Sequence, residues 1–321
     1  MKQFILKIVL YGLCFALVEL LLFCCITDPM SKSSHEANVR IASERIAQID
    51  TTKIVIIGGS GCQFGFISQI IADHYNLPVI NTGTHACIGL QLQINLFRDF
   101  LHPGDIVLLI PEYDQYCSYQ LFAGAADESM LRIMISNYPK GLGKLSFKQW
   151  KLVAPFLPQY ISKAFTHSPI PSFSPYSITA INEFGDATNW ECRPAVFKDD
   201  QRLNPILADP HPEILSFLQD FVGQCKKENI LLLLFPPALA KSESEQISNY
   251  IQTVDSALYS INTPFCVEPQ RYILPDSLFY DTYYHMVLEG ASLRTQMIVH
   301  DIDSIIGKRY TSIATERKSL Y

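Results

Sequence analysis

The stretch Lys53-Ile54-Val55-Ile56-Ile57-Gly58-Gly59-Ser60-Gly61 decides the fold. Four apolar residues in a row, with no polar alternation, describe a strand buried on both faces. Such strands belong to parallel sheets covered by helices on each side. The glycines that follow make a sharp turn, and a helix should start there, with Phe66, Ile67, Ile70, Ile71 and His74 at helical spacing.

The same rhythm recurs on either side of a break. Leu77-Pro78-Val79-Ile80 reads as a second strand ending at Asn81-Thr82-Gly83, and residues 90–100 as a helix. Pro103-Gly104 is a turn before a third strand, Asp105-Ile106-Val107-Leu108-Leu109-Ile110, which ends at Pro111-Glu112-Tyr113. Residues 213–227 place Ile214, Phe217, Leu218, Phe221 and Cys225 on one side of a helix. A fourth strand over residues 230–235 is stopped by Pro236-Pro237, and residues 242–260 and 289–306 read as helices. Strands alternating with helices predict one α/β domain over residues 53–306: a three-layer α/β/α fold with a mostly parallel sheet. Residues 115–204 break the rhythm. With helical pieces at 129–136 and 147–164, they read as an insertion able to lid the site.

The chain has 321 residues, of which 48% are apolar and 17% charged, which excludes disordered and low-complexity classes. A net charge of −6 argues against a nucleic-acid-binding role. The cysteines form no CxxC pair and no zinc spacing is visible, so neither a metal nor a cofactor is expected, and any disulfide pairing stays open. The glycine turn at 58–61 matches neither a phosphate loop nor a dinucleotide fingerprint.

Residues 8–26, IVLYGLCFALVELLLFCCI, contain one charge, Glu19. A helix of that length spans roughly 28 Å, close to the hydrocarbon core of a bilayer. No small-x-small cleavage site follows, so an uncleaved signal anchor is expected. Lys2 and Lys7 precede it, which keeps residues 1–7 in the cytoplasm and places the rest of the chain across the membrane. The alternative is a buried N-terminal helix of a soluble protein. Residues 27–52 read as a linker followed by an amphipathic helix, and residues 307–321 as a basic, solvated tail.

In an open parallel sheet, functional groups gather at the carboxyl ends of the strands. Ser60 sits on a glycine corner there, where its hydroxyl is pushed outward and free N–H groups can stabilise an oxyanion. It is also a plain N-cap candidate. A serine nucleophile needs a base. Asp281 and His285, in a loop before the last helix, could fold back to face it.

These blocks resemble the SGNH/GDSL hydrolase superfamily: residues 54–65 around Ser60, residues 77–85 through Gly83, Pro103-Gly104-Asp105, and Asp281-x-x-x-His285-x-x-x-x-Gly290. More narrowly, they are similar to membrane-anchored SGNH-like proteins of bacteria associated with cell-surface polysaccharide acylation. The resemblance implies an SGNH/flavodoxin-like fold. It also implies Ser60 as nucleophile, the N–H groups of Ser60 and Gly83 as oxyanion donors, and Asp281 and His285 as the partners of Ser60. The implied activity is a serine esterase or O-acyltransferase acting on ester groups of extracytoplasmic glycans. The protein would be a single-pass one in the bacterial inner membrane, with a membrane acyltransferase as an implied partner. The alternative is an inactive scaffold of the same fold that binds or assembles polysaccharide machinery. Two departures stand out. The third block has Glu112 and Tyr113 where the superfamily offers an Asn side chain, and the Asp-x-x-His spacing is one residue longer. His85, Glu112, Tyr113, Tyr284 and Arg294 are candidates for substrate binding. For Glu112 and Arg294 a mutual ion pair is the other reading, for Tyr284 core packing, and for His85 a structural histidine.

Overall fold

The computed structural model describes residues 1–197, 209–261 and 267–318; the side chains at 16, 19–25 and 307–318 are outside that description. Helix α1 (Lys2–Cys25) leads into α2 (Pro29–Ser33) and α3 (Asn38–Ile46). The domain proper begins with β1 (Ile54–Gly58), α4 (Ser60–Gln63), α5 (Ser68–Tyr75), β2 (Val79–Asn81), α6 (Leu90–Phe97) and β3 (Ile106–Ile110). The insertion holds α7 (Asp114–Cys117), α8 (Tyr119–Ala123), α9 (Ser129–Asn137), α10 (Phe147–Val153) and α11 (Leu157–Thr166). Then come α12 (Pro212–Lys227), β4 (Leu231–Leu234), β5 (Leu239–Ala240), α13 (Lys241–Gln246), α14 (Ser248–Ser260), β6 (Ile273–Leu274) and α15 (Leu288–Lys318).

The main sheet has the order β2-β1-β3-β4, and every pair in it is parallel. Alternate residues of the strands enter two separate cores. Val55, Ile57, Val107, Leu109, Leu232 and Leu234 share one with Leu92 of α6, Leu218 of α12 and Val254 of α14. Ile54, Ile56, Ile106, Leu108 and Leu233 share the other with Ile71 of α5 and Ile298 and Ile302 of α15. Uninterrupted apolar runs are what a sheet with two dry faces requires. The fold is α/β with a parallel sheet between helical layers.

Several elements differ from expectation. The helix after the glycine corner is two pieces, because α4 ends at Gln63 and the chain re-enters a helix only at Ser68. The helix expected over 147–164 is interrupted at Pro155, which lacks an N–H and clashes with the preceding turn. The helix over 242–260 breaks at Ile247, which is buried. Strands β5 and β6 form an extra two-stranded parallel ribbon. The supposed linker packs into the domain: Asp28, Ser31, His35, Glu36 and Asn38 are all buried. The backbone of the expected basic tail continues α15 to Lys318, and residues 319–321 are outside the described residues, as are residues 198–208, which include the end of the insertion.

Among the described residues, no helix is long and apolar enough to cross a membrane. The span expected over residues 8–26 falls largely within α1, and the side chains that would complete it are among those not described. The described apolar side chains of α1, including Phe4, Leu6, Val9, Leu13 and Leu17, are exposed.

One ion pair sets the sheet's amino edge. Lys53 Nζ lies 2.7 Å from Asp105 Oδ2, both side chains fully buried. Asp105 also accepts from the N–H groups of Lys53 at 3.0 Å and His102 at 2.8 Å. One carboxylate thus joins the starts of β1 and β3. Breaking such a pair from one side leaves a buried charge uncompensated, at about 3–5 kcal/mol. Asp105→Ala should therefore lower unfolding stability by roughly that amount in a denaturant titration, whereas an unchanged midpoint would mean the pair contributes nothing.

Candidate active site

Strand β1 is buried along its whole length and delivers the chain to the corner at Gly58 and Gly59, so Ser60 starts α4 at the carboxyl edge of the sheet. A side chain on Gly59 would collide with the Glu112 carboxylate, so the corner needs glycine for space. Here the first N–H groups of a helix have no intrahelical acceptor.

The loop before α15 returns to this corner. Phe279 and Met286 bridge antiparallel, and Tyr280 N–H donates to His285 O at 2.8 Å. Thr282 Oγ1 accepts from the N–H groups of Tyr284 and His285 at 3.2 and 3.0 Å. This turn brings His285 back toward Asp281, four residues earlier. His285 Nε2 lies 2.9 Å from Ser60 Oγ, and His285 Nδ1 lies 3.1 Å from Asp281 Oδ1. With Nδ1 protonated toward Asp281, Nε2 presents its lone pair to the serine hydroxyl.

A fourth group completes the chain of hydrogen bonds. Tyr176, from the insertion, donates to Asp281 Oδ2, and its oxygen lies 3.0 Å from His285 Nδ1. Burial pushes the Asp281 carboxyl up, but the hydrogen bonds from His285 and Tyr176 outweigh it and hold the carboxyl below its ordinary value. The Phe64 ring stacks on the imidazole of His285 at 4.4 Å and 21°.

Above Ser60 lies a cleft of about 340 Å³, whose lining includes His285, Tyr176, His85, His35, Glu36 and Arg132. His35 donates from Nδ1 to Gln63 Oε1 at 2.7 Å, and burial pulls its pKa down to about 4. His85 accepts the Cys87 N–H on Nδ1 at 3.2 Å, and burial lowers its pKa as well. Both rings are therefore neutral near pH 7.

The other anticipated residues lie elsewhere. The Gly83 N–H donates to Asn81 Oδ1 at 3.0 Å, and a Cβ on Gly83 would lie 2.6 Å from the Gln63 N, so this glycine packs against the serine turn with its donor already engaged. Glu112 and Arg294 do not pair directly. They grip the same residue from two sides: Glu112 Oε1 accepts the Gly61 N–H at 2.8 Å, and Arg294 Nη1 donates to Gly61 O at 2.7 Å. The Arg294 guanidinium is buried 4.3 Å over the Phe66 ring. Tyr284 Oη accepts the Tyr113 N–H at 2.9 Å, and both tyrosines are buried. The side chains of Glu112, Arg294 and Tyr284 therefore brace the backbone around the corner, and of the five candidates for substrate contact only His85 lines the cleft. Among the described residues, no cluster of potential metal ligands occurs.

Sequence reasoning missed Tyr176, His35, Glu36 and Arg132. Arg132 did leave a signal, a charge in the middle of the apolar run Met130-Leu131-Arg132-Ile133-Met134. Tyr176, in a stretch rich in Ser and Pro, left none. No family model matches the chain, and no curated protein matches it.

Burial raises Glu112 to about 7 from its usual 4.5. The folded protein thus holds this proton more tightly than the unfolded chain, and the associated stability is present below pH 4.5 and lost as pH rises toward 7. Glu112→Gln keeps an acceptor for Gly61 and removes the titration. Relative to the native protein it should gain stability between pH 5 and pH 8, by up to roughly 3 kcal/mol; parallel curves of melting temperature against pH would contradict this. Tyr176→Phe removes one hydrogen bond from each of Asp281 and His285. It should slow phosphonylation of Ser60 by a fluorophosphonate about tenfold at pH 7 and also lower the melting temperature, since a hydrogen bond to a charged group contributes about 1.5–3 kcal/mol to stability; an unchanged labelling rate would mean that Tyr176 does not position Asp281.

Proposed function

We propose that this chain is a serine esterase or O-acyltransferase of the SGNH type that acts on ester groups of glycans outside the cytoplasm. The observation that carries the proposal is the relay from Asp281 through His285 to Ser60, with separations of 3.1 and 2.9 Å. The parallel sheet, with Ser60 at its carboxyl edge, supports the SGNH-like reading, which otherwise rests on resemblance.

In the proposed chemistry, Ser60 Oγ attacks the ester carbonyl carbon while its proton passes to His285 Nε2. Asp281 holds the imidazole in the required tautomer and stabilises the imidazolium, and Tyr176 fixes Asp281. The resemblance gives the stabilisation of the developing oxyanion to the N–H of Ser60. The tetrahedral intermediate collapses, the ester C–O bond breaks, and the leaving alkoxide takes the proton from Nε2. An acyl-serine remains. Water or a sugar hydroxyl then gives its proton to Nε2 and attacks the acyl carbon. Ser60 leaves and recovers the proton.

The anchor belongs to the same proposal. The apolar sequence of residues 8–26, the exposed apolar side chains of α1 and the lysines before them support a single-pass arrangement in a bacterial inner membrane. The domain then lies on the extracytoplasmic side, within reach of a membrane acyltransferase. A second reading, a scaffold without turnover, is favoured by one observation: the Gly83 N–H is bound to Asn81 rather than free for an oxyanion. Loss of a single such donor typically costs about 10²–10³ in rate.

A fluorophosphonate probe separates the two. The full-length protein should become covalently labelled, and Ser60→Ala and His285→Ala should each abolish the label. A folded protein that takes no label would favour the scaffold.

A further inference from the structure

We propose that the Glu36–Arg132 ion pair in the wall of the cleft is the docking point for an uncharged polyhydroxyl group, such as a neutral glycan, and that the site turns acidic glycans away. Its role as an acceptor site rests on the acyl-serine reading above; the binding itself needs no turnover.

Glu36 comes from the turn after α2 and Arg132 from α9, and both line the cleft that holds Ser60. Their side chains are 4% and 5% exposed. They meet through one contact, Arg132 Nη1 to Glu36 Oε2. That contact is not the two-pronged one of which a guanidinium and a carboxylate are capable. Arg132 Nε is buried and has no partner. A buried ion pair offsets its desolvation only when its remaining donors and acceptors are also satisfied. This one is incomplete in the free protein, and it sits in a cleft that admits a ligand.

The chemistry of the pair points to a hydroxyl. A hydroxyl accepts from a guanidinium and donates to a carboxylate, so a vicinal diol can use both partners at once. Charge decides against an anion. The Glu36 and Arg132 charges cancel. His35 and His85, which face the same space, are held neutral by burial. Asp281 adds a negative charge behind His285. A carboxylate or phosphate entering this poorly solvated wall would have to compete with Glu36 for the Arg132 guanidinium.

A glycan array of uncharged and acidic oligosaccharides, probed with full-length protein carrying Ser60→Ala so that no ester turns over, tests the assignment. Binding is expected on uncharged members only. The double variant Glu36→Gln with Arg132→Gln, which leaves no lone charge behind, should abolish it. Arg132→Lys, which keeps the charge and loses the planar fork, should weaken it about tenfold. Preference for acidic members, binding indifferent to the double variant, or no binding at all would overturn the proposal. Fluorophosphonate labelling of the native protein reports separately on Ser60. Label without array binding removes only the docking assignment, and array binding without label removes only the acyl-serine chemistry.

Discussion

Strand β1 is held at both ends by a buried carboxylate, and the site depends on that. At its start, Asp105 takes the Lys53 ammonium and the Lys53 N–H. Past its end, Glu112 takes the Gly61 N–H. Both acids belong to the neighbouring strand's flanks, so β1 cannot slide against β3 without exposing one or both to an unsatisfied interior. A slip of one residue would also send each alternate side chain into the wrong core. The position of Ser60 is thus set by the register of the sheet rather than by its own loop.

The same corner explains why several side chains near the nucleophile do not line the cleft. Glu112 and Arg294 hold opposite ends of Gly61, and Tyr284 holds the backbone of Tyr113. A polar residue at a strand end can serve the backbone of the corner as well as a substrate. Sequence alone does not separate those uses, because both demand a hydrogen-bonding group at the same place along the chain.

What was legible followed local physics. The strands in the main sheet announce themselves because burial on both faces forbids polar alternation, as in Ile54-Val55-Ile56-Ile57. The two-residue strands β5 and β6 carry no such pattern, since their pairing comes from the surrounding packing. The order of Ser60, Asp281 and His285 pointed to a relay, and the distances agree with it. The wall of the cleft was not legible. It joins residues from the segment before β1 to residues from the insertion, as in Glu36 with Arg132, and only the folded chain brings them within reach.

The face-to-face contact between Phe64 and His285 carries a consequence for the order of events in the proposed chemistry. The imidazole is stacked on one face and engaged by Asp281 at Nδ1, so Nε2 is the nitrogen it offers to Ser60. Every proton it receives or returns must pass at the single edge that faces Ser60. The departing alcohol and the incoming nucleophile therefore share one doorway and must take turns in it, which makes double displacement, with the first product gone before the second reactant arrives, the natural kinetic scheme for this geometry.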